Sequence, residues 1–181
     1  MGCDIHAWLE IRNDNQWSTP DNTAVDLDRA YDTFGLFFGV RNHAHFSPVA
    51  ERRGFPRDAS ALVCQDYQQW SDDAHSASWL TWADVERMDR EQSLLDARIH
   101  EYDAAGTYLG TFADSRRLTP PEYMALASGE SVTKDGHLFR QQHVKALDNL
   151  STAWQAALDR MRALAADYGA DNVRLVVWFD N

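Results

Sequence analysis

The segment Cys3-Asp4-Ile5-His6-Ala7-Trp8-Leu9-Glu10-Ile11 alternates strictly between two sets of side chains. Successive residues of an extended chain point to opposite sides, so one face carries Cys3, Ile5, Ala7, Leu9 and Ile11, and the other carries Asp4, His6, Trp8 and Glu10. This alternation predicts a half-buried β-strand. We expect the second face of this strand to carry the polar residues of any site in the chain.

The end of the chain predicts a second strand and the helix before it. Val173 to Phe179 is mostly apolar and β-branched, which is typical of a strand buried on both faces in the centre of a sheet. Upstream, apolar residues recur at spacings of three and four and predict a long amphipathic helix that ends at Gly169. They are Leu150, Trp154, Leu158, Met161, Ala165 and Tyr168.

These elements together predict the α+β class. At 181 residues the chain has the usual size of one domain and is long enough to bury a two-layer core. We expect a single domain over residues 1–181, with a mixed or antiparallel sheet that contains both terminal strands. The long helix after Asp148 should pack on one face of that sheet.

Start and stop signals predict the remaining elements. Helices are expected from Tyr31 to Phe38 before a Gly39 stop, from about Trp82 to near Leu95 after a Thr81 and Asp84 capping box, and from Thr119-Pro120-Pro121-Glu122 to near Gly129. A hairpin is expected from Arg98–Tyr102 and Thr107–Phe112. Residues 13–22 and 41–58 are predicted to be loops, the second of them long and ordered. A polar segment from Trp70 to Ser78 precedes the Trp82 helix.

The charge of the chain limits its partners. A formal net charge of −11 argues against non-specific binding to duplex nucleic acid or to anionic membranes, because both need a continuous basic surface. Cys3 and Cys64 make no disulfide framework, and no secretion signal or apolar run of membrane-spanning length is evident. The expected location is therefore the cytoplasm.

Asp4 and His6 are the first candidate site residues. They project from the same face of the strand, about 7 Å apart along the chain. A carboxylate and an imidazole in this arrangement suit a divalent metal ion that activates water, or a pair of general acid and base. The alternative is that they are ordinary polar residues on the solvent face of a strand.

A second Asp-x-His lies in Ser71-Asp72-Asp73-Ala74-His75-Ser76-Ala77-Ser78. A catalytic metal generally keeps three protein ligands, so we predict that His75 joins Asp4 and His6 on one side of the sheet. Asp73 is expected beside His75 among the catalytic residues. The alternative is that this segment only turns the backbone and caps the next helix.

Arginines cluster in and beside the long loop, at positions 41, 52, 53 and 57. Guanidinium groups in a stiff loop suit bidentate contacts with a phosphate, and one or two of the seven tryptophans could stack a nucleobase. The alternative is that these arginines pair with the abundant carboxylates of an acidic chain.

The opening Met1-Gly2-Cys3-Asp4-Ile5-His6 resembles the start of a family of uncharacterised phage and prophage proteins that begin Met-x-Cys-Asp-Ile-His. Gly39-Val40-Arg41-Asn42, Arg53-Gly54-Phe55-Pro56, Asp73 to Leu80 and Trp178-Phe179-Asp180-Asn181 are similar to that family's recurring blocks. The blocks lie in the first 85 residues and the last ten. The polar residues that match them are Asp4, His6, Arg41, Arg53, Asp73, His75 and Asp180.

The resemblance implies a viral accessory role in the cytoplasm of a bacterial host, where small phage proteins often counter host defence or remodel nucleotide metabolism. Combined with the residues above, it gives the leading hypothesis of a metal-assisted phosphoesterase or nucleotide hydrolase. Asp4, His6 and His75 would hold the divalent metal ion. The nucleotide-like ligand would be bound by Arg41, Asn42, Arg53, Ser76, Ser78, Trp79 and Asp180.

Two alternatives belong to other functional classes. The same arginines and aromatic residues could sequester a nucleotide signal of host immunity without turning it over. The acidic surface could instead make the protein a decoy that binds a host protein. The sequence leaves the ligand, the metal and the oligomeric state open.

Overall fold

A computed structural model describes residues 2–70, 72–112, 117–148 and 150–181, and within them the chain forms five α-helices and ten β-strands. The strands are β1 (Asp4–Asn13), β2 (Gln16–Ser18), β3 (His75–Thr81), β4 (Ser93–Leu95), β5 (Ile99–Tyr102), β6 (Tyr108–Phe112), β7 (Val132–Lys134), β8 (His137–Arg140), β9 (His143–Lys145) and β10 (Val173–Asp180). The helices are α1 (Tyr31–Phe38), α2 (Ala61–Gln69), α3 (Trp82–Arg87), α4 (Pro120–Ala127) and α5 (Thr152–Tyr168).

The main sheet is antiparallel and has the order β2-β1-β10-β3. β1 and β10 pair along their length, with Asp4 opposite Asp180 and Glu10 opposite Arg174. β10 is an inner strand, and every residue from Val173 to Phe179 is buried. The predicted α+β class, with both terminal strands in one sheet and a long C-terminal helix, is confirmed.

The first face of the main sheet packs against α1 and α5. Phe34 and Phe38 of α1 and Trp154, Leu158 and Met161 of α5 are all nearly inaccessible to solvent, as their helical spacing predicted. Gly39 ends α1 in the left-handed conformation, with φ of 73°. The apolar side chains of β1 complete this core, which confirms the predicted orientation of the strand.

The second face of the main sheet is also covered, which corrects the prediction of a half-buried β1. Trp8 packs with Val63 of α2 and with Val176 and Trp178 of β10, and Glu10 has no exposed surface. The sequence gave no sign of this cover, because α2 buries only Val63 and carries mostly polar residues. A single apolar contact per helix leaves no helical period to detect.

A smaller antiparallel sheet has the order β6-β5-β8-β7 and packs with α4 around Ile99, Leu118, Leu126 and Phe139. It contains the predicted hairpin, and α4 begins with the predicted capping box at Thr119. β4 and β9 form a separate pair. No helix among the described residues has the length and apolar character needed to cross a membrane.

Two sequence predictions of local structure are wrong, and a third segment contains a strand that was not predicted. The predicted 13–22 loop contains β2, which pairs with β1 through a tight turn at Asp14 and Asn15, two residue types that accept positive φ. The Trp82 helix ends at Arg87 instead of near Leu95, because residues 93–95 pair with β9. The polar segment before that helix is partly strand, since β3 begins at His75.

Replacing Leu158 by Ala tests the packing of α5 on the sheet. Leu158 is 5% exposed within the core, so we expect the free energy of unfolding to fall by about 2–5 kcal/mol. Met124 is 74% exposed, and Met124→Ala should change it by about 0.5 kcal/mol or less. Chemical denaturation measures both, and equal effects would contradict the packing described here.

Candidate functional site

The residues predicted from the sequence to form one site fall in separate places. Asp4, His6 and Asp180 lie at the end of the main sheet where β1 begins and β10 ends. His75 and Ser76 lie at the start of β3 beside the same end, but next to a different face. Trp79 lies further along β3, and Arg53 lies beside it in the 41–58 loop. The predicted ligand-binding residues therefore do not form one site with Asp4 and His6.

Asp4 and His6 do not share a partner. Asp4 is exposed and pairs with Arg29, with 2.6 Å between Oδ1 and Nη2. His6 lies half-buried against Trp70, with 3.9 Å between ring centroids, and its Nε2 lies 3.4 Å from Oδ2 of Asp180. The space beside His6 is thus occupied by aromatic side chains.

His75 does not lie on the same side of the sheet as His6, and the prediction that these two imidazoles share an ion is wrong in its geometry. His6 pairs with Trp178 and His75 pairs with Phe179, and each ring stacks on its partner. Residues 178 and 179 of one strand face opposite sides, so the two imidazoles do too. No group of three His, Cys, Asp or Glu side chains suited to a metal ion occurs among the described residues.

The remaining predicted residues of these blocks make structural contacts. Asn42 binds the backbone of Phe46 through both ends of its amide, which closes a turn. Ser78 is fully buried, donates to the carbonyl of Ala50 and accepts from the backbone N–H of Arg53, so it holds the long loop against β3. Asp73 is exposed, and Ser71 lies outside the described residues.

Two interpretations of the loop arginines were phosphate binding beside an aromatic ring and pairing with a carboxylate, and Arg53 contacts both an aromatic ring and a carboxylate. Its guanidinium lies 4.9 Å from the ring centroid of Trp79, and its Nη1 lies 2.7 Å from Oδ2 of Asp84. Pairing with a carboxylate, the alternative considered above, therefore holds for Arg53. Arg52 also pairs, more loosely, with Glu51 at 3.4 Å.

Arg53 and Trp79 border a large open cavity on the second face of the main sheet, and we call it the Arg–Trp pocket. Its volume is about 650 Å³, within the range of small-molecule sites. The residues that line it are Arg12, Trp17, Arg53, Phe55, Pro56, Arg57, Asp58, Trp79, Thr81, Asp171 and Arg174. Four of them are arginines, although the chain as a whole is acidic.

Arg174 lines the pocket and also contacts a buried residue of the interior, Glu10. Its guanidinium lies 3.8 Å from the ring centroid of Trp17 and 5.7 Å from that of Trp79. Its Nε donates to Oε2 of Glu10 at 2.8 Å, and its Nη1 donates to Oδ1 of Asp58 at 2.9 Å. Nη2 is 2.8 Å from the same Glu10 oxygen but is not aligned for a hydrogen bond. Arg174 is thereby fixed in orientation.

Two arginines of the pocket keep their charge uncompensated. Arg12 donates through Nε to Asn172 and lies 5.3 Å from the Trp17 ring centroid, and it pairs with no carboxylate among the described residues. Arg57 makes no hydrogen bond or ion pair within the described part of the chain. These two side chains are free to bind an anion.

Sequence reasoning missed Arg12, Trp17 and Arg174 as site residues. Arg174 did carry a signal, since it is a charged residue inside a segment predicted to be buried on both faces, and such a charge needs a partner. The partner that it needs is Glu10, on the polar side of β1. Arg12 and Trp17 were not recognised as site residues, because the hairpin that brings them together was predicted to be a loop.

Comparisons with protein-family models, with curated proteins and with solved structures gave no match to this chain.

The Arg53–Asp84 pair predicts an acid dependence of stability. Burial alone would raise the pKa of Asp84, but hydrogen bonds from Arg53 and from the Thr81 backbone hold this pKa at about 2, below the ordinary value of 3.8. Because the pKa of the folded state is depressed, the stabilisation is complete above about pH 4 and is lost as pH falls through about 2. It should be no more than about 2 kcal/mol, given solvent screening at Arg53.

Urea denaturation from pH 2 to 6 measures this dependence. Asp84→Asn should flatten the acid limb of the stability curve, whereas Asp167→Asn, at an exposed position on α5, should leave it unchanged. An Asp84→Asn curve that parallels the parent curve would contradict the assignment.

The Glu10–Arg174 pair predicts strong coupling between two strands. Arg174→Met alone leaves the buried Glu10 charge without its partner and should cost about 3–5 kcal/mol of unfolding free energy, whereas Glu10→Gln leaves Arg174 paired only with Asp58 and should cost less. The double variant should lose clearly less than the sum of the two, which a double-mutant cycle by chemical denaturation measures. Additive losses would show that the two charges do not interact.

Proposed function

We propose that the chain binds a nucleotide-type phosphate ligand in the Arg–Trp pocket and sequesters it without turning it over. The observation that carries this proposal is the concentration of four arginines and two tryptophans around one cavity of about 650 Å³ in a chain of net charge −11. Arg53 and Arg174 are paired with carboxylates, but Arg12 and Arg57 have no ion pair within the described residues, so these two charges attract an anion to the pocket.

The pocket offers two kinds of contact that a nucleotide needs. Arg12 and Arg57 have guanidinium N–H groups without carboxylate partners, which suit the fork geometry of a phosphate. Trp17, Trp79 and Phe55 present partly exposed aromatic surface for a planar base. The stacked Arg174 and Arg53 hold the two tryptophan rings in place, so little ordering is needed on binding.

Binding is favoured over hydrolysis because the groups predicted to perform hydrolysis are dispersed. Asp4 pairs with Arg29, His6 with Asp180, and His75 lies next to the opposite face. A divalent metal ion as cofactor remains a prediction. The phage accessory role in a bacterial cytoplasm, drawn from resemblance, likewise remains a prediction, and sequestration of a nucleotide signal is the role that fits this pocket.

Titration with a panel of nucleoside mono- and diphosphates, followed by calorimetry and by ³¹P NMR, tests the proposal. We expect at least one nucleotide to bind, and its parent nucleoside to bind about tenfold or more weakly, because charge-assisted hydrogen bonds to the phosphate are lost. The ³¹P spectrum of the bound ligand should stay unchanged with time. New phosphorus resonances would support hydrolysis instead.

The variant Arg12→Gln/Arg57→Gln isolates the free cations of the pocket. It should weaken nucleotide binding about tenfold or more and leave the unfolding free energy nearly unchanged, because neither side chain is part of an ion pair. Arg90→Gln/Arg162→Gln removes two exposed arginines elsewhere and is the matched charge control. If both variants bind as the parent does, the Arg–Trp pocket is not the binding site.

A further inference from the structure

A second polar cavity, of about 390 Å³, lies at the end of the main sheet next to its α1 face. It is bordered by the end of α1, the turn at residues 51–52, the start of β3 and the residue that follows β10. Arg41, Arg52, His75, Ser76 and Asn181 supply its polar groups, and we call it the Arg41 cavity. None of these residues lines the Arg–Trp pocket.

The backbone of the Arg41 cavity is held in an unfavourable conformation at three places. Arg41, Arg52 and Ser76 each have φ of 52°, in the left-handed region. Most other non-glycine residues with positive φ in the described part of the chain are Asn, Asp or His, which tolerate this region, and Leu147 is the exception. Three residues that do not tolerate it well therefore converge on one cavity, each at a cost of about 1–2 kcal/mol.

His75 and Ser76 form a hydrogen-bonded pair at this cavity. The His75 ring stacks on Phe179 with 6.2 Å between centroids, and its Nδ1 lies 3.0 Å from Oγ of Ser76. Its Nε2 is closed off from solvent and forms no hydrogen bond with the described residues. Ser76 is exposed, so a bound group can reach the pair through the Ser76 hydroxyl, and the adjacent His75 ring responds to it.

Arg41 has no carboxylate partner among the described residues. It donates to the amide oxygen of Asn181 at 3.2 Å, a neutral acceptor that does not cancel its charge. Cys3 also contacts Arg41, but burial raises the pKa of its thiol, which favours the neutral form. Of the nearby carboxylates, Asp4 pairs with Arg29, Glu51 pairs with Arg52, and Asp180 lies against His6.

We infer that the Arg41 cavity is a second binding site, separate from the Arg–Trp pocket, that takes a compact oxyanion group. Arg41 supplies the charge, and the Ser76 hydroxyl supplies a neutral hydrogen bond while its oxygen accepts from His75 Nδ1. Phosphate and carboxylate groups share this chemistry. The left-handed backbone at Arg41 and Ser76 is maintained because it directs these side chains to the bound anion.

The His75 imidazole resonances in a ¹H–¹³C spectrum report binding directly. At fixed pH and ionic strength, we expect sodium phosphate or sodium acetate, replacing sodium chloride, to shift them saturably. A response to phosphate, to acetate or to both supports the site and identifies the group that it accepts. A response to neither overturns the inference.

Arg41→Asn is the decisive variant, because Asn removes the guanidinium and tolerates a left-handed backbone. We expect the anion-dependent shift of His75 to weaken about tenfold or more and the Tm of the ligand-free protein to stay equal or rise. Ser76→Asn should act in the same direction. An Arg41→Asn protein with unchanged anion affinity overturns the inference, and so does one in which the anion response and Tm both fall.

The pocket variant Arg12→Gln/Arg57→Gln separates this inference from the proposed function. Its His75 resonances should respond to the anion as in the parent chain. The Arg41→Asn protein should in turn bind the nucleotide of the first pocket normally. If the pocket variant abolishes the His75 response, the anion acts through the Arg–Trp pocket and the second site is refuted.

Discussion

The buried ion pair between Glu10 and Arg174 determines how the second face of the main sheet is covered. Two opposite charges with almost no solvent access are stable only when their remaining donors and acceptors find partners. Glu10 meets this requirement by accepting from the backbone N–H of Ser60, which fixes the start of α2. Arg174 meets it through Asp58. A polar helix with one fully buried apolar residue is thereby held on the sheet by two charged side chains in addition to the packing of Val63 and Tyr67.

The same pair also builds the Arg–Trp pocket. Since Arg174 is fixed by Glu10, Trp17 stacks on a guanidinium that cannot move away, and its indole N–H donates to the second oxygen of Asp58. The residues that follow Asp58 anchor the start of α2. The loop that precedes Asp58 carries Arg57 and borders the open cavity. A site whose aromatic walls are held by an interior ion pair is organised before any ligand arrives.

Sequence periodicity predicted the elements that pack by apolar burial and failed for those held by polar contacts. α1, α5, β1 and β10 were evident because each buries a regular stripe of apolar side chains. α2 lacks such a stripe. β3 gave no strand signal in the sequence, because its first residues include Ser and Ala. The candidate site failed for a related reason. Two Asp-x-His segments look equivalent in sequence, but strand register decides which face each histidine takes, and a shift of one residue in pairing reverses that face.

The long loop from Arg41 to Asp58 connects these observations, because it runs past β3, an edge strand of the main sheet. Exposed edge strands tend to pair with other chains, and covering them is a common protection. Here Ser78 holds the loop backbone and Arg53 donates to the carbonyl of Trp79. With the loop held at this edge, the consecutive residues Arg52 and Arg53 border different cavities. The path of this one loop therefore both covers the edge strand and brings arginines to two sites. A change that loosens the loop should disturb both sites together, whereas a change in one arginine should not.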